Sequence, residues 1–532
     1  MVTTSGERTG ASRPWDAGAS LLGLVFFIAI LLTFGYVVLV RPDASYVERS
    51  LNDVFGLADG AYRVSLGLIP SVDFYSFYGA ATWYPTAAGL LLDYTIGGAF
   101  AFGHLLTAAC LLMLTCFAAM RRLSTLPALV LLLFVFLLVA APVLPGGSHK
   151  DLSWGLFHTR HGWAGLAIVL LYYLEPRRIG RHDLWIDALV LASLLLFLVY
   201  LKITFAAAAL CFVVANAMTS GYKFRQAITA FAICMAVILV IEVGSGYNAA
   251  YLDDVVGIVE IVASEHQGWE SLVQLTLVHR PEVFLVYTAL ALVAFAGRRS
   301  LLDFLFVTAS LAAAILLLDL SGGATKGPLA LASVFLVLGE LAQRRELPGV
   351  GSHGALGWSQ KLASTLIFLV SLAFIAKPAY VGARAMQLHY TKVAAAQLAG
   401  ETDLGGIYYS RQAKAPTSVP DGGPGQGDSA RWSPIRQQRG DRETWQYAPT
   451  VEEGVRLLEG VPLEGKAVVA FEQVNPFGVL LGLRPTADGY PFRFIGQLQG
   501  ARIEATVDQD PDAVAERFFS DADYVMVPTV PD

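Results

Sequence analysis

Charge is scarce in this chain: only 15% of its 532 residues are Asp, Glu, Lys or Arg, against about 25% in a typical soluble domain. That shortage excludes an ordinary charge-coated soluble protein. Positive charge in particular is neither in excess nor gathered in one patch, because the formal net charge is −6 and the Lys and Arg residues come in small, spaced clusters. Nucleic-acid binding is therefore excluded as a partner class. Cysteine is nearly absent, with four residues, Cys110, Cys116, Cys211 and Cys234, each inside an apolar run. They read as small hydrophobes, and the lack of any CxxC or Cys/His spacing leaves neither a disulfide framework nor a cysteine-bound metal. There is no internal repeat and no glycine fingerprint for a nucleotide.

What the chain does have is apolar length. It is 55% hydrophobic, with a mean hydropathy of +0.56, and a helix needs about 20 apolar residues to cross a bilayer. Candidate spans fall at 17–40, 100–120, 126–143, 162–175, 184–201, 203–219, 226–246, 281–297, 301–320, 327–342 and 361–380. The first reads as a retained span, since no small-residue cleavage site precedes Arg41-Pro42. Basic residues then fix the orientation. With Arg8 and Arg13 inside, every second loop is basic: Arg121/Arg122, Arg177/Arg178/Arg181, Lys223/Arg225, Arg298/Arg299, and Arg344/Arg345 with Lys361. This alternation is the positive-inside pattern of a multi-pass protein integral to the inner (plasma) membrane. The N-terminus is cytoplasmic, and eleven spans, an odd number, put the C-terminus outside, in the periplasm or its equivalent.

The expected fold class is thus mainly α, a polytopic membrane helix bundle of about 11 spans with a small α/β soluble C-terminal domain. Residues 1–380 form the transmembrane domain, with outside loops at 41–99, 144–161 and 247–280, the last read as an interfacial helix. Residues 381–440 are a connector and a Pro/Gly/Gln-rich linker. In 441–532, VEEGVRLLEG has helical spacing and KAVVAF and DYVMVP read as strands.

The outside loops hold the chemistry-bearing residues. The first, LADGAYRVSLGLIPSVDFYSFYGAATWYPTAAG, carries Asp59, Tyr62, Arg63, Asp73, Tyr75 and Tyr78. Its Asp59-Gly60 with Tyr62, followed by Gly67-Leu68-Ile69-Pro70-Ser71-Val72-Asp73-Phe74, resembles the first-loop signature of GT-C glycosyltransferases, although an acidic residue is usual where Gly60 stands and Gly-Pro where Gly79-Ala80 stands. The resemblance implies a GT-C-like membrane enzyme that transfers a sugar from a polyprenyl-phosphate donor to a polysaccharide, lipid or protein acceptor at an outward-facing site. It implies Asp59 as the catalytic base, with Asp73 the second candidate, and makes Tyr62, Arg63, Tyr75 and Tyr78 candidate substrate contacts.

The leaving phosphate of such a donor needs fixed positive charge. The second outside loop, GGSHKDLSWGLFHTRHGWAGL, concentrates His149, Lys150, His158, Arg160 and His161. Arg160 is the expected phosphate ligand, because a guanidinium can pair with two oxygens. His158, His161 and Lys202, a lysine interrupting an apolar stretch, are further phosphate-binding candidates, and Lys150 is a candidate substrate contact. No metal site is expected from the His158/His161 spacing, although a divalent cation is left open as a helper. The competing readings are a transporter or flippase of a glycan-lipid precursor and a non-catalytic envelope-assembly scaffold.

Overall fold

The computed structural model describes residues 15–265 except 146, 175, 177–182 and 219; residues 356–409 except 402; residues 444–486 except 471–473; and residues 522–526. The chain is mostly helical. Helix α1 (Trp15–Gly35) runs on through a π-helical turn (Tyr36–Val40). After a short strand β1 (Ser45–Val47), helices α2 (Leu51–Ser65) and α3 (Tyr84–Leu91) fold within the first loop. Then come α4 (Ile96–Arg122), α5 (Thr125–Ala140), α6 (Phe157–Leu170), α7 (Asp183–Leu201), α8 (Ile203–Ala217), α9 (Gly221–Ser245) and α10 (Tyr247–Glu265).

Among the described residues, four helical stretches are long and apolar enough to cross a membrane: Leu21–Val40, Ile96–Arg122, Asp183–Leu201 and Gly221–Ser245. Thr125–Ala140 and Ile203–Ala217 are apolar but shorter. The expected span 361–380 lies within a single helix, α11 (Leu356–Ala399). The expected spans 281–297, 301–320 and 327–342, most of the linker, and the rest of the third outside loop lie outside the described residues. Apolar side chains of α9 such as Val243 and Val240, 82% and 71% exposed, find no cover among the described residues. A helix with such a face needs an apolar surrounding.

The first loop is a folded layer. Small residues let α3 lie against α4: a Cβ on Gly89 would come within 2.7 Å of the Ala99 backbone, and one on Gly103 within 2.8 Å of Pro85. Strand β1 pairs in parallel with β2 (Ile407–Tyr409), Ser45 opposite Ile407 and Val47 opposite Tyr409. Helix α11, 44 residues long, extends about 66 Å at the α-helical rise. Its far end reaches this layer, where Lys392 pairs with Glu48 and Gln397 donates to the Pro42 carbonyl.

The C-terminal region contributes α12 (Thr444–Leu458), β3 (Val468–Ala470), α13 (Phe477–Leu481) and β4 (Tyr524–Met526), with β3 and β4 parallel. Asp523 ties this pair together, accepting from the Ala467 amide at 2.8 Å and from Lys466 at 2.9 Å. These hydrogen bonds hold its carboxyl down at about 2.

Candidate functional site

The starts of α2 and α6 abut. A Cβ on Gly155, just before α6, would lie 3.3 Å from the Cβ atoms of both Ser50 and Asp53 at the start of α2. Both helices begin from a residue in the left-handed region, Ser50 at φ 56° and Leu156 at φ 53°. For a leucine that conformation costs about 1–2 kcal/mol, and such outliers persist where the surroundings impose them, often at functional sites.

Tyr78 is the hub of this junction. Its ring centroid is 4.2 Å from that of His158 in the first turn of α6. The Lys202 ammonium, in the one-residue break between α7 and α8, sits 5.9 Å from the same ring. Burial and the Asp53 carboxylate both raise the pKa of the Tyr78 hydroxyl. Asp53 and Lys202 are half-buried, whereas Tyr78 and His158 are buried. A carboxylate, a phenol, an imidazole and an ammonium from four segments therefore meet at a partly open position. Three of them were expected from sequence, and Asp53 was not. An acidic residue in the first turn of a helix looks like an ordinary complement to the helix dipole; its signal was an Asn52-Asp53 pair beside a loop already rich in candidates.

The loop leading out of the hub is held from several sides. Gly79 packs against the Tyr200 backbone, where an added Cβ would come within 2.1 Å of its carbonyl oxygen. The Gly79 amide and the Thr82 hydroxyl donate to the Leu201 carbonyl, at 3.1 and 3.2 Å, satisfying an end of α7 that no helical partner covers. Helix α10 clamps the same loop, with Asp254 accepting from the Ser76 amide at 3.0 Å and Tyr247 from the Ala80 amide at 2.8 Å. Tyr75 donates to the Asp254 carbonyl at 3.4 Å.

The other expected residues are placed apart from the hub. Asp59, 1% exposed, accepts from Arg63 Nε at 2.9 Å, and its second oxygen, Oδ1, is buried without a hydrogen-bond partner among the described residues. Arg63 and Tyr62 face the C-terminal region. Gly60 lies against the Trp83 indole, 2.3 Å from where a Cβ would stand. Asp73 is exposed and accepts from the Ile69 amide at 2.6 Å, closing a tight turn through Ser71 at φ 62°. Lys150 is exposed on the second loop.

Arg160 stands deeper than an open membrane entrance would put it. It is 1% exposed, and its Nη1 caps the end of α5 by donating to the carbonyls of Leu138, at 3.1 Å, and Ala141. Its Nε and Nη2, the edge that pairs side-on with an oxyanion, have no hydrogen-bond partner among the described residues. His161 rests on the Val139 carbonyl at 3.4 Å, and His104, at 5.0 Å from its ring, adds a further buried imidazole that sequence reading missed. Among the described residues, no group of three or more His, Cys, Asp or Glu could hold a metal ion.

Comparison with protein-family models, with curated proteins and with solved structures gives no match.

Proposed function

We propose that this chain is a GT-C-like membrane glycosyltransferase of about eleven spans, working on the outer face of the inner membrane. It moves a sugar from a polyprenyl-phosphate donor to an envelope acceptor, a polysaccharide, a lipid or a protein. The observation that carries this reading is the meeting of Asp53, Tyr78, His158 and Lys202 where the starts of α2 and α6 abut. The site combines what a single displacement needs: a carboxylate to take the proton of an acceptor hydroxyl, and cations to receive a leaving phosphate.

In this mechanism Asp53 is the base. The acceptor oxygen loses its proton to Asp53 as it bonds to the anomeric carbon, the bond from that carbon to the phosphate oxygen breaks, and the configuration inverts. Lys202 and His158 face the departing phosphate, and the buried Nε–Nη2 edge of Arg160, two residues after His158, is a further source of positive charge. Asp53 is preferred to Asp59 because it is half-buried at the junction with Tyr78, whereas Asp59 is buried against Arg63.

The test is transfer by the purified full-length protein in lipid nanodiscs, using a panel of polyprenyl-phosphate hexoses and pentoses. Asp53→Asn keeps the shape of the side chain and removes the base, so turnover falls by about a hundred-fold or more. Asp59→Asn and Asp73→Asn lose less. A larger loss at Asp59 returns the base to the position that the motif implies. Full activity in all three variants removes the carboxylate-base mechanism, and no transfer by the unaltered protein from any donor of the panel leaves the transporter and the scaffold.

A further inference from the structure

The face of α2 that carries Asp59, Tyr62 and Arg63 meets the C-terminal region. Arg63, 2% exposed, uses Nε on Asp59 and Nη1 on the Thr486 carbonyl, both at 2.9 Å. One residue earlier, the Tyr62 hydroxyl donates to the Leu483 carbonyl at 3.2 Å. Gly478 in α13 sits directly over Asp59, where an added Cβ would be 3.3 Å from Oδ1. The Phe55 ring lies 6.4 Å from Tyr447 of α12, and Glu452 of α12 holds Tyr409 of β2, the strand paired to β1 just ahead of α2. Elements some 390 to 420 residues away thus grip α2 along its length, and among the described residues the side-chain hydrogen bonds from Tyr62 and Arg63 to that region end on backbone carbonyls.

A guanidinium bridging a buried carboxylate and a backbone carbonyl fixes the rotation of its helix more tightly than apolar packing does, since both acceptors lose a charged donor if the helix turns. Asp53 lies on the same helix, nearly three turns before Arg63, on a different face. We propose that Arg63 is a positioning residue for the transfer step: by clamping α2 to the C-terminal region it sets the rotation of the helix and hence the aim of the Asp53 carboxylate. The role expected of Arg63 from sequence, a substrate contact, becomes a structural coupling between the outer C-terminal region and the base. This inference rests on the reading of Asp53 as base.

The experiment pairs two readouts on the full-length protein in nanodiscs, steady-state transfer and amide hydrogen exchange over 51–65 and 477–486. In Arg63→Ala, exchange rises in both segments together, and kcat falls by about ten- to a hundred-fold, the scale of a misaimed reacting group, while donor KM stays within about two-fold. Arg63→Lys restores part of kcat, and Tyr62→Phe, the milder variant, moves both readouts in the same direction by less. Raised exchange with unchanged kcat overturns the positioning role. So does a rise in KM with unchanged exchange, which would make Arg63 a substrate contact. The exchange readout is independent of the identity of the base, so full activity of Asp53→Asn would sink the proposed mechanism while leaving the clamp itself measurable.

Discussion

The two ends of the helix bundle treat buried charge in opposite ways. At the end where α4 finishes and α7 begins, Arg122 is fully engaged: Nη1 and Nη2 reach both oxygens of Asp187 at 3.1 and 2.7 Å, Nε donates to the Leu174 carbonyl at 3.2 Å, and the guanidinium stacks 4.1 Å from the Tyr172 ring. Tyr222 also donates to Asp187 at 2.9 Å, so the Arg122–Asp187 pair is saturated; Arg121 adds ion pairs at 3.0 Å to Asp183 and 3.2 Å to Asp187, although its Nε and Nη2 make no hydrogen bond among the described residues. At the other end, Arg160 meets only carbonyls through one nitrogen, and atoms of His104, His161 and Asp59 are buried without hydrogen-bond partners among the described residues. A saturated network holds helices together. An unsaturated one leaves donors and acceptors open to a partner beyond the described residues.

The comparison breaks first if the two ends do not face opposite compartments. A reporter active only outside the cytoplasm, fused after residue 400, gives full signal, and fusions near residues 299 or 345 give none. Signal in the reverse order would put the unsaturated end in the cytoplasm.

Next in size is the saturated end. Asp187→Ala leaves Arg122 buried and uncompensated, and thermal unfolding in detergent should register a loss of about 3–5 kcal/mol. Replacing both partners, Arg122→Met with Asp187→Leu, recovers most of it. Equal losses in the single and double variants would mean that the network is not acting as a pair.

At the unsaturated end, Arg160→Ala inverts that pattern. Stability falls by only about 1–2 kcal/mol, for the two carbonyls at the end of α5. Donor kcat/KM falls by about ten- to a hundred-fold, as for loss of charge-assisted bonds, and His161→Ala costs less. A large loss of stability with unchanged donor use would make Arg160 a second structural lock.

The smallest effect lies at the exposed Asp523. Its folded pKa, held at about 2 against an ordinary value of 3.8, means that its support for the β3–β4 pair is complete above about pH 4 and lost as pH falls through about 2. Amide exchange at 466–470 and 523–526 should therefore rise across that window and lose this dependence in Asp523→Asn. Screening by solvent keeps the effect slight.

Long apolar runs announced α4, α7 and α9, because helix length and hydropathy are properties of one segment. The pairing of Arg122 with Asp187 was not legible, since it joins residues 65 apart and Arg122 read only as a cytoplasmic loop residue. The same holds for the hub: Tyr78, His158 and Lys202 were each singled out, but nothing in three separate segments says that one tyrosine ring gathers the other two. Asp59 shows the opposite case. Its i, i+4 spacing to Arg63 is a local signal of an engaged carboxylate, yet the motif resemblance drew attention to Asp59 as a base.

The parallel pairing of β1 with β2 fixes an order of assembly. Residues 45–47 leave the ribosome some 360 residues before their partners at 407–409, so the first loop must wait, its strand edge bare, while every intervening helix is inserted. Closing so long a loop costs little more than closing one half as long, about 0.6 kcal/mol per doubling. What it does cost is time, in a protein whose first-loop layer is not complete until more than three quarters of the chain has arrived. Truncation anywhere before residue 409 should therefore leave a helix bundle whose first-loop layer is unfinished.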